Sequence, residues 1–206
     1  MTQTQKDRDA LREWAVFYES GLRRQNSDVN LTQAQIAKDR TRLEADPIEW
    51  IRFFFPEYCK FEFAEFQIKA IRRCIKHEEW FEVLSWARGL AKSTTVMFIV
   101  IYLALTKKKC NVMMASATQD SAVRLLDPYK KQLEENALIR AYYGVQVNLG
   151  NWCAEEFVAK CGCSFRAVGA GNAPRGSRNG AVRPDVLLVD DFDTDEGCRN
   201  PDTIDK

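Results

Sequence analysis

Apolar positions in the first third of the chain recur with helical spacing. Leu11, Trp14, Ala15, Tyr18 and Leu22 form one stripe, and Leu31, Ala34, Ile36 and Leu43 a weaker second one, with Asn26, Ser27, Asp28 and Asn30 between them. The pattern predicts a helical extension over residues 1–45. Asp46 then reads as an N-cap with Pro47 at the first helical position, and the helix runs through Trp50 and Phe54 to the break at Pro56. The stretch from Phe61 to Gln67 leads into a further helix carrying Ile68, Ile71 and Ile75.

From there the rhythm alternates between extended and helical. Val83, Leu84 and Trp86 read as a buried strand, and Met97, Phe98, Ile99, Val100, Ile101, Leu103 and Ala104 as a mostly apolar helix packed on it. Residues 110–115 predict a second buried strand and residues 120–136 a helix, which Asp127-Pro128 would kink or divide. Strand, helix, strand, helix implies parallel strands joined by right-handed crossovers. Residues 144–168 alternate like a hairpin, with Val145 and Val147 before Asn148-Leu149-Gly150-Asn151 and with Phe157, Val158, Phe165 and Val168 after it. Lys107-Lys108-Lys109 reads as a solvated connection.

The turn between the first strand and its helix, Arg88-Gly89-Leu90-Ala91-Lys92-Ser93, has the residue types of the tail of a phosphate-binding P-loop. Such a turn aims backbone N–H groups at phosphate oxygens, and the helix start adds the positive end of its dipole. Lys92 would reach the β- and γ-phosphates, and the Ser93 hydroxyl would ligate Mg²⁺. In the usual G-x-x-x-x-G-K-[ST] register, however, Trp86 and Ala91 occupy the two glycine positions, so the stretch also reads as an ordinary strand, turn and helix containing a lysine.

A second motif lies at Arg183-Pro184-Asp185-Val186-Leu187-Leu188-Val189-Asp190-Asp191, an apolar strand that empties into two carboxylates like a Walker B segment. Asp190 would hold Mg²⁺ directly or through water, and Asp191 would orient or deprotonate the attacking water. Alone, the pair also reads as solvated aspartates capping a strand. Gln67, preceded by the aromatic Phe66, can bond an adenine edge while the ring packs on the base; a surface glutamine beside a core phenylalanine is the plainer account. The glycine-rich stretch 169–180 carries Arg175 and Arg178, which would reach phosphate charge in a transition state or simply lie in a solvated loop.

Composition narrows the classes. Hydrophobic residues at 46% and charged residues at 29% of 206 describe a globular chain, not a disordered or membrane one. A formal net charge of +1 excludes a simple strongly basic nucleic-acid binder, so any DNA contact comes from a local patch or another domain. No apolar run approaches ~18 residues, and MTQTQKDRDA is too polar for a signal peptide. Seven cysteines without paired C-x-x-C spacing read as reduced thiols, and Cys161-Gly162-Cys163 lacks a second half for zinc.

In this order the motifs resemble the N-terminal ATPase domain of the large terminase subunit, the DNA-packaging motor of tailed phages and prophages. The likeness rests on Phe66-Gln67, on Ala87-Arg88-Gly89-Leu90-Ala91-Lys92-Ser93-Thr94, on Ser116-Ala117-Thr118-Gln119, and on Arg175-Gly176-Ser177-Arg178 running on to Asp190-Asp191. It implies an α/β P-loop NTPase fold of the ASCE type, with a mainly parallel central sheet flanked by helices, over residues 46–206. It implies ATP and Mg²⁺ as cofactors, with Phe66, Gln67 and Arg88 to Thr94 at the nucleotide and Ser93 and Asp190 at the metal. Arg88 would be a phosphate sensor and Arg175 or Arg178 an arginine finger, on this subunit or in trans in a ring of subunits. In the family Glu commonly follows the Walker B Asp, where this chain has Asp191, with Asp193, Asp195 and Glu196 nearby.

Double-stranded DNA, a portal and a small terminase subunit are the implied partners, without a membrane, in the cytoplasm of a bacterial host. The likeness covers residues 46–196 and stops short of the family's nuclease, so a longer protein is expected and no nuclease activity falls to these residues. A helicase-like, nucleic-acid-stimulated ATPase shares the same motifs. A non-catalytic nucleotide-binding assembly module would fit the weak glycine pattern.

Overall fold

A computed structural model describes residues 32–171 and 182–191. The first helices start where local chemistry satisfies their free N–H groups. Thr32 and Gln35 form a capping box ahead of α1 (Gln33–Ala45), and the Asp46 carboxylate accepts from the Ile48 N–H at 2.9 Å to open α2 (Pro47–Phe54). Helix α3 (Glu65–Lys76) follows, then α4 (Lys92–Leu105). Every residue of α4 from Met97 to Leu105 is buried, which is the behaviour of a helix apolar all round. It is enclosed by α2, α3 and α5 (Gln119–Glu135). Trp50, fully buried on α2, donates its indole N–H to the Tyr143 hydroxyl at 2.8 Å and meets Tyr102 of α4 edge-on. Tyr143 belongs to the short helix α6 (Ala137–Tyr143), which packs against α1.

Among the described residues the sheet has four strands, β1 (Asn111–Ser116), β2 (Glu156–Val158), β3 (Ser164–Gly169) and β4 (Val186–Val189), in the order β2-β3-β1-β4. β1 runs parallel to both β3 and β4, and β2 is antiparallel to β3. The molecule is therefore α/β with a mixed, mostly parallel sheet flanked by helices. β1 is buried at all six positions, as a central parallel strand should be. Helix α5 connects β1 to the hairpin and lies against β1 and β3.

Three expectations change. Helix α5 passes through Pro128 without dividing, because Ala122 and Leu126 before the proline and Tyr129 and Leu133 after it are buried together. That shared burial outweighs one missing backbone N–H. The hairpin lies later than Val145 and Val147 indicate, with Glu156–Val158 paired to Ser164–Gly169 around Gly162 at φ 98°. Residues 145–147 stay irregular because buried Gln146 spends its groups elsewhere: its amide donates to the Tyr143 carbonyl at 2.9 Å and accepts from the Cys161 N–H at 3.0 Å.

The third change concerns Val83, Leu84 and Trp86. Residues 81–87 alternate between exposed and half-buried with the period of a strand, Glu82, Leu84 and Trp86 facing inward. Yet they make no strand, since no backbone hydrogen bond joins them to β4 or to any other strand among the described residues. Val83 is accordingly 72% exposed, and Leu187, on the unpaired side of the sheet, 63%. A cavity of about 500 Å³ separates the segment from β4, lined by Leu84, Val96, Ile99, Val100, Val186 and Leu188 among others.

Candidate functional site

The turn before α4 uses two left-handed residues. Gly89 has φ 88° and Ala91 φ 55°. Glycine adopts this conformation freely, whereas alanine there costs about 1–2 kcal/mol. Ala91 caps α4 without a side-chain hydrogen bond, so the N–H groups of Lys92, Ser93 and Thr94 have no partner among the described residues. They stand at the positive end of an apolar helix. Beneath them, Gln67 of α3 donates to the Leu90 carbonyl at 3.1 Å while accepting from the Ala64 N–H at 2.9 Å. Phe66 meets Trp86 edge-on at 4.8 Å. Helix α3 thereby ties down the strand-like segment and the loop that follows it.

Opposite lies the end of β4. The Asp190 N–H donates to the Ala115 carbonyl at 3.1 Å, which carries the β1 pairing one residue past the strand. Asp191 turns left-handed at φ 45°, and its carbonyl accepts from the Ala117 N–H at 3.1 Å. Aspartate tolerates that conformation better than most residues. At the strand's other end the Asp185 carboxylate accepts from the N–H groups of Cys110 and Asn111, both at 2.8 Å. The acid-bearing strand is thus clamped to β1 at both ends.

Lys92 and Asp190 face each other, Nζ to Oδ1 at 4.0 Å, both side chains partly exposed. They share a cavity of about 350 Å³ with Ser93, Val96, Leu125, Tyr129 and residues of β4. The fold therefore gathers Lys92, Ser93 and Asp190. Thr94 follows on the first turn of α4, half-buried, and Arg88, Gly89 and Leu90 form the exposed outer side of the loop. Asp191 is exposed beside the cavity and does not line it. Arg175, Arg178, Asp193, Asp195 and Glu196 lie outside the described residues.

Two residues of this region were not singled out for chemistry by the sequence. Asp185 was visible only as part of a motif, and its role as a strand clamp depends on which strand β4 joins. Tyr129 lies four positions after Leu125 on one face of α5, and helical spacing marks that face as buried without saying what it faces.

Around one opening stand a lysine, three N–H groups and a serine hydroxyl without hydrogen bonds among the described residues, and a carboxylate: donors suited to anionic oxygen beside an oxygen ligand suited to a cation. This donor set fits a phosphate chain with Mg²⁺: the N–H groups and Lys92 face anionic oxygen, and Ser93 and Asp190 supply the hard oxygen ligands that Mg²⁺ prefers. No group of three or more histidine, cysteine, aspartate or glutamate side chains placed for a metal occurs among the described residues. Among the described residues no helix is long and apolar enough to cross a membrane. No protein-family model matches the chain, and comparison with curated proteins and with solved structures finds no significant match.

Proposed function

We propose that the chain is the ATPase domain of a viral DNA-packaging terminase, hydrolysing ATP with Mg²⁺ to drive double-stranded DNA into a procapsid. The observation that carries the reading is the 4.0 Å approach of Lys92 to Asp190 across a cavity that Ser93 shares. Two motifs far apart in the chain meet around one opening, as a P-loop fold requires of them.

In this reading Lys92 and the N–H groups at the start of α4 hold the β- and γ-phosphates and stabilise charge that develops on the transferred group. Ser93 and Asp190 would hold Mg²⁺. The ion, when bound, neutralises charge on the β- and γ-oxygens. Asp191 orients the attacking water, Arg88 senses the phosphate, and Arg175 or Arg178 supplies the finger. Phe66 and Gln67 serve the adenine; Gln67 would exchange its bond to Leu90 for the base, which links base recognition to the loop. The portal, the small terminase subunit and the ring of subunits belong to the same proposal, as does the bacterial cytoplasm.

The test is a titration of labelled ATP with and without Mg²⁺, alongside steady-state hydrolysis. Binding should strengthen with Mg²⁺, and Lys92→Ala should abolish turnover, since loss of one such donor costs about 10²–10³ in rate. A Lys92→Ala protein that binds and hydrolyses ATP like the parent would place the chemistry elsewhere.

A further inference from the structure

Tyr129 is 2% exposed, yet its hydroxyl has no hydrogen bond to any described residue. Since no fully sealed side-chain nitrogen or oxygen is left unpaired among the described residues, that hydroxyl keeps contact with open space. Tyr129 lines a cavity it shares with Lys92, Ser93 and Asp190. The Asp190 carboxylate is the complementary case. It receives no hydrogen bond from a described residue, and the Lys92 ammonium stands at 4.0 Å, beyond hydrogen-bond distance. The Tyr129 hydroxyl and the Asp190 carboxylate, neither hydrogen-bonded to a described residue, thus belong to residues that line one 350 Å³ space.

We propose that Tyr129 is a positioning residue for Asp190, its hydroxyl donating to the Asp190 carboxylate and turning it toward the cation. The role rests on the nucleotide–Mg²⁺ reading of the cavity given above. An ordinary phenol is protonated at neutral pH, so the Tyr129 hydroxyl is available as a donor. Leu125, on the same face of α5, and Val96 of α4 line the same cavity and give it apolar surface beside the two polar groups.

Tyr129→Phe removes the hydroxyl and keeps the ring, so its melting temperature should match the parent's. The decisive measurement is the affinity for labelled ATP in Mg²⁺ and in EDTA. The variant should lose about tenfold of the gain that Mg²⁺ confers, the size expected for a residue orienting a metal ligand, with its affinity in EDTA unchanged. Asp190→Asn should lose the same gain, and the double variant should lose no more than Asp190→Asn alone. A Tyr129→Phe protein with the full Mg²⁺ gain, or one weakened equally in Mg²⁺ and EDTA, overturns the positioning role. A parent protein whose binding ignores Mg²⁺ overturns the nucleotide–Mg²⁺ reading and the positioning role with it.

Discussion

The acids after β4 are held to β1 by the Asp185 carboxylate at one end and by backbone bonds from Asp190 and Asp191 at the other, whereas the loop carrying Lys92 is held to the rest of the chain largely through Gln67. Both regions alternate in burial residue by residue and lead into a polar turn. One became a strand because β1 lay ready to pair with it. The other, residues 81–87, has no partner strand among the described residues and keeps only the alternation. The difference teaches that the candidate site has a fixed wall and a less fixed one. Local stability follows the number of buried contacts and protected hydrogen bonds, so it concentrates on the acid side.

The comparison fails if the acid side proves no more sensitive than the loop. The largest effect is expected at Gly169, the last residue of β3, where an added Cβ would lie 2.4 Å from the Gln119 backbone nitrogen. Gln119 cannot easily give way, since its side chain already bonds the Ala167 carbonyl and the Gly169 N–H. Gly169→Ala should cost about 3 kcal/mol, or about 6–12 °C in melting temperature by calorimetry. Next comes Asp185→Ala, which strips two charge-assisted bonds from the N–H groups of Cys110 and Asn111. A loss of about 2 kcal/mol in urea unfolding is expected, and a change below about 0.5 kcal/mol would show that β4 is not clamped there.

The smallest effect sharpens the loop side. Ala91→Gly relieves the left-handed strain at φ 55° but adds freedom to the unfolded chain, so the net should be a stabilisation of up to about 1 kcal/mol. Destabilisation of that size would instead mean that the loop does not hold Ala91 in this conformation.

Much of the fold was legible in the sequence because its signals are local. Asp46-Pro47 announced α2, the periodic Ile68, Ile71 and Ile75 announced α3, and the apolar run after Lys92 announced α4. The hairpin was misread by one turn because buried Gln146 competes for backbone partners, and a glutamine's burial is not written in apolar spacing. At the site, Lys92, Ser93 and Asp190 were legible as residue types. Tyr129 was not, because the cavity it borders is formed with residues of α4 and the end of β4, far away in the chain.

What the sequence determined by itself is the placing of helices α1 to α5 and the chemistry available at each turn; the short helix α6 went unread. These depend on caps, periodicity and backbone preference within a few residues. The tertiary structure alone decided the order β2-β3-β1-β4, the 4.0 Å meeting of Lys92 and Asp190, and the failure of residues 81–87 to join the sheet. Each of those depends on a partner distant in the chain, and a strand's pattern states what it can pair with, not what comes to lie beside it.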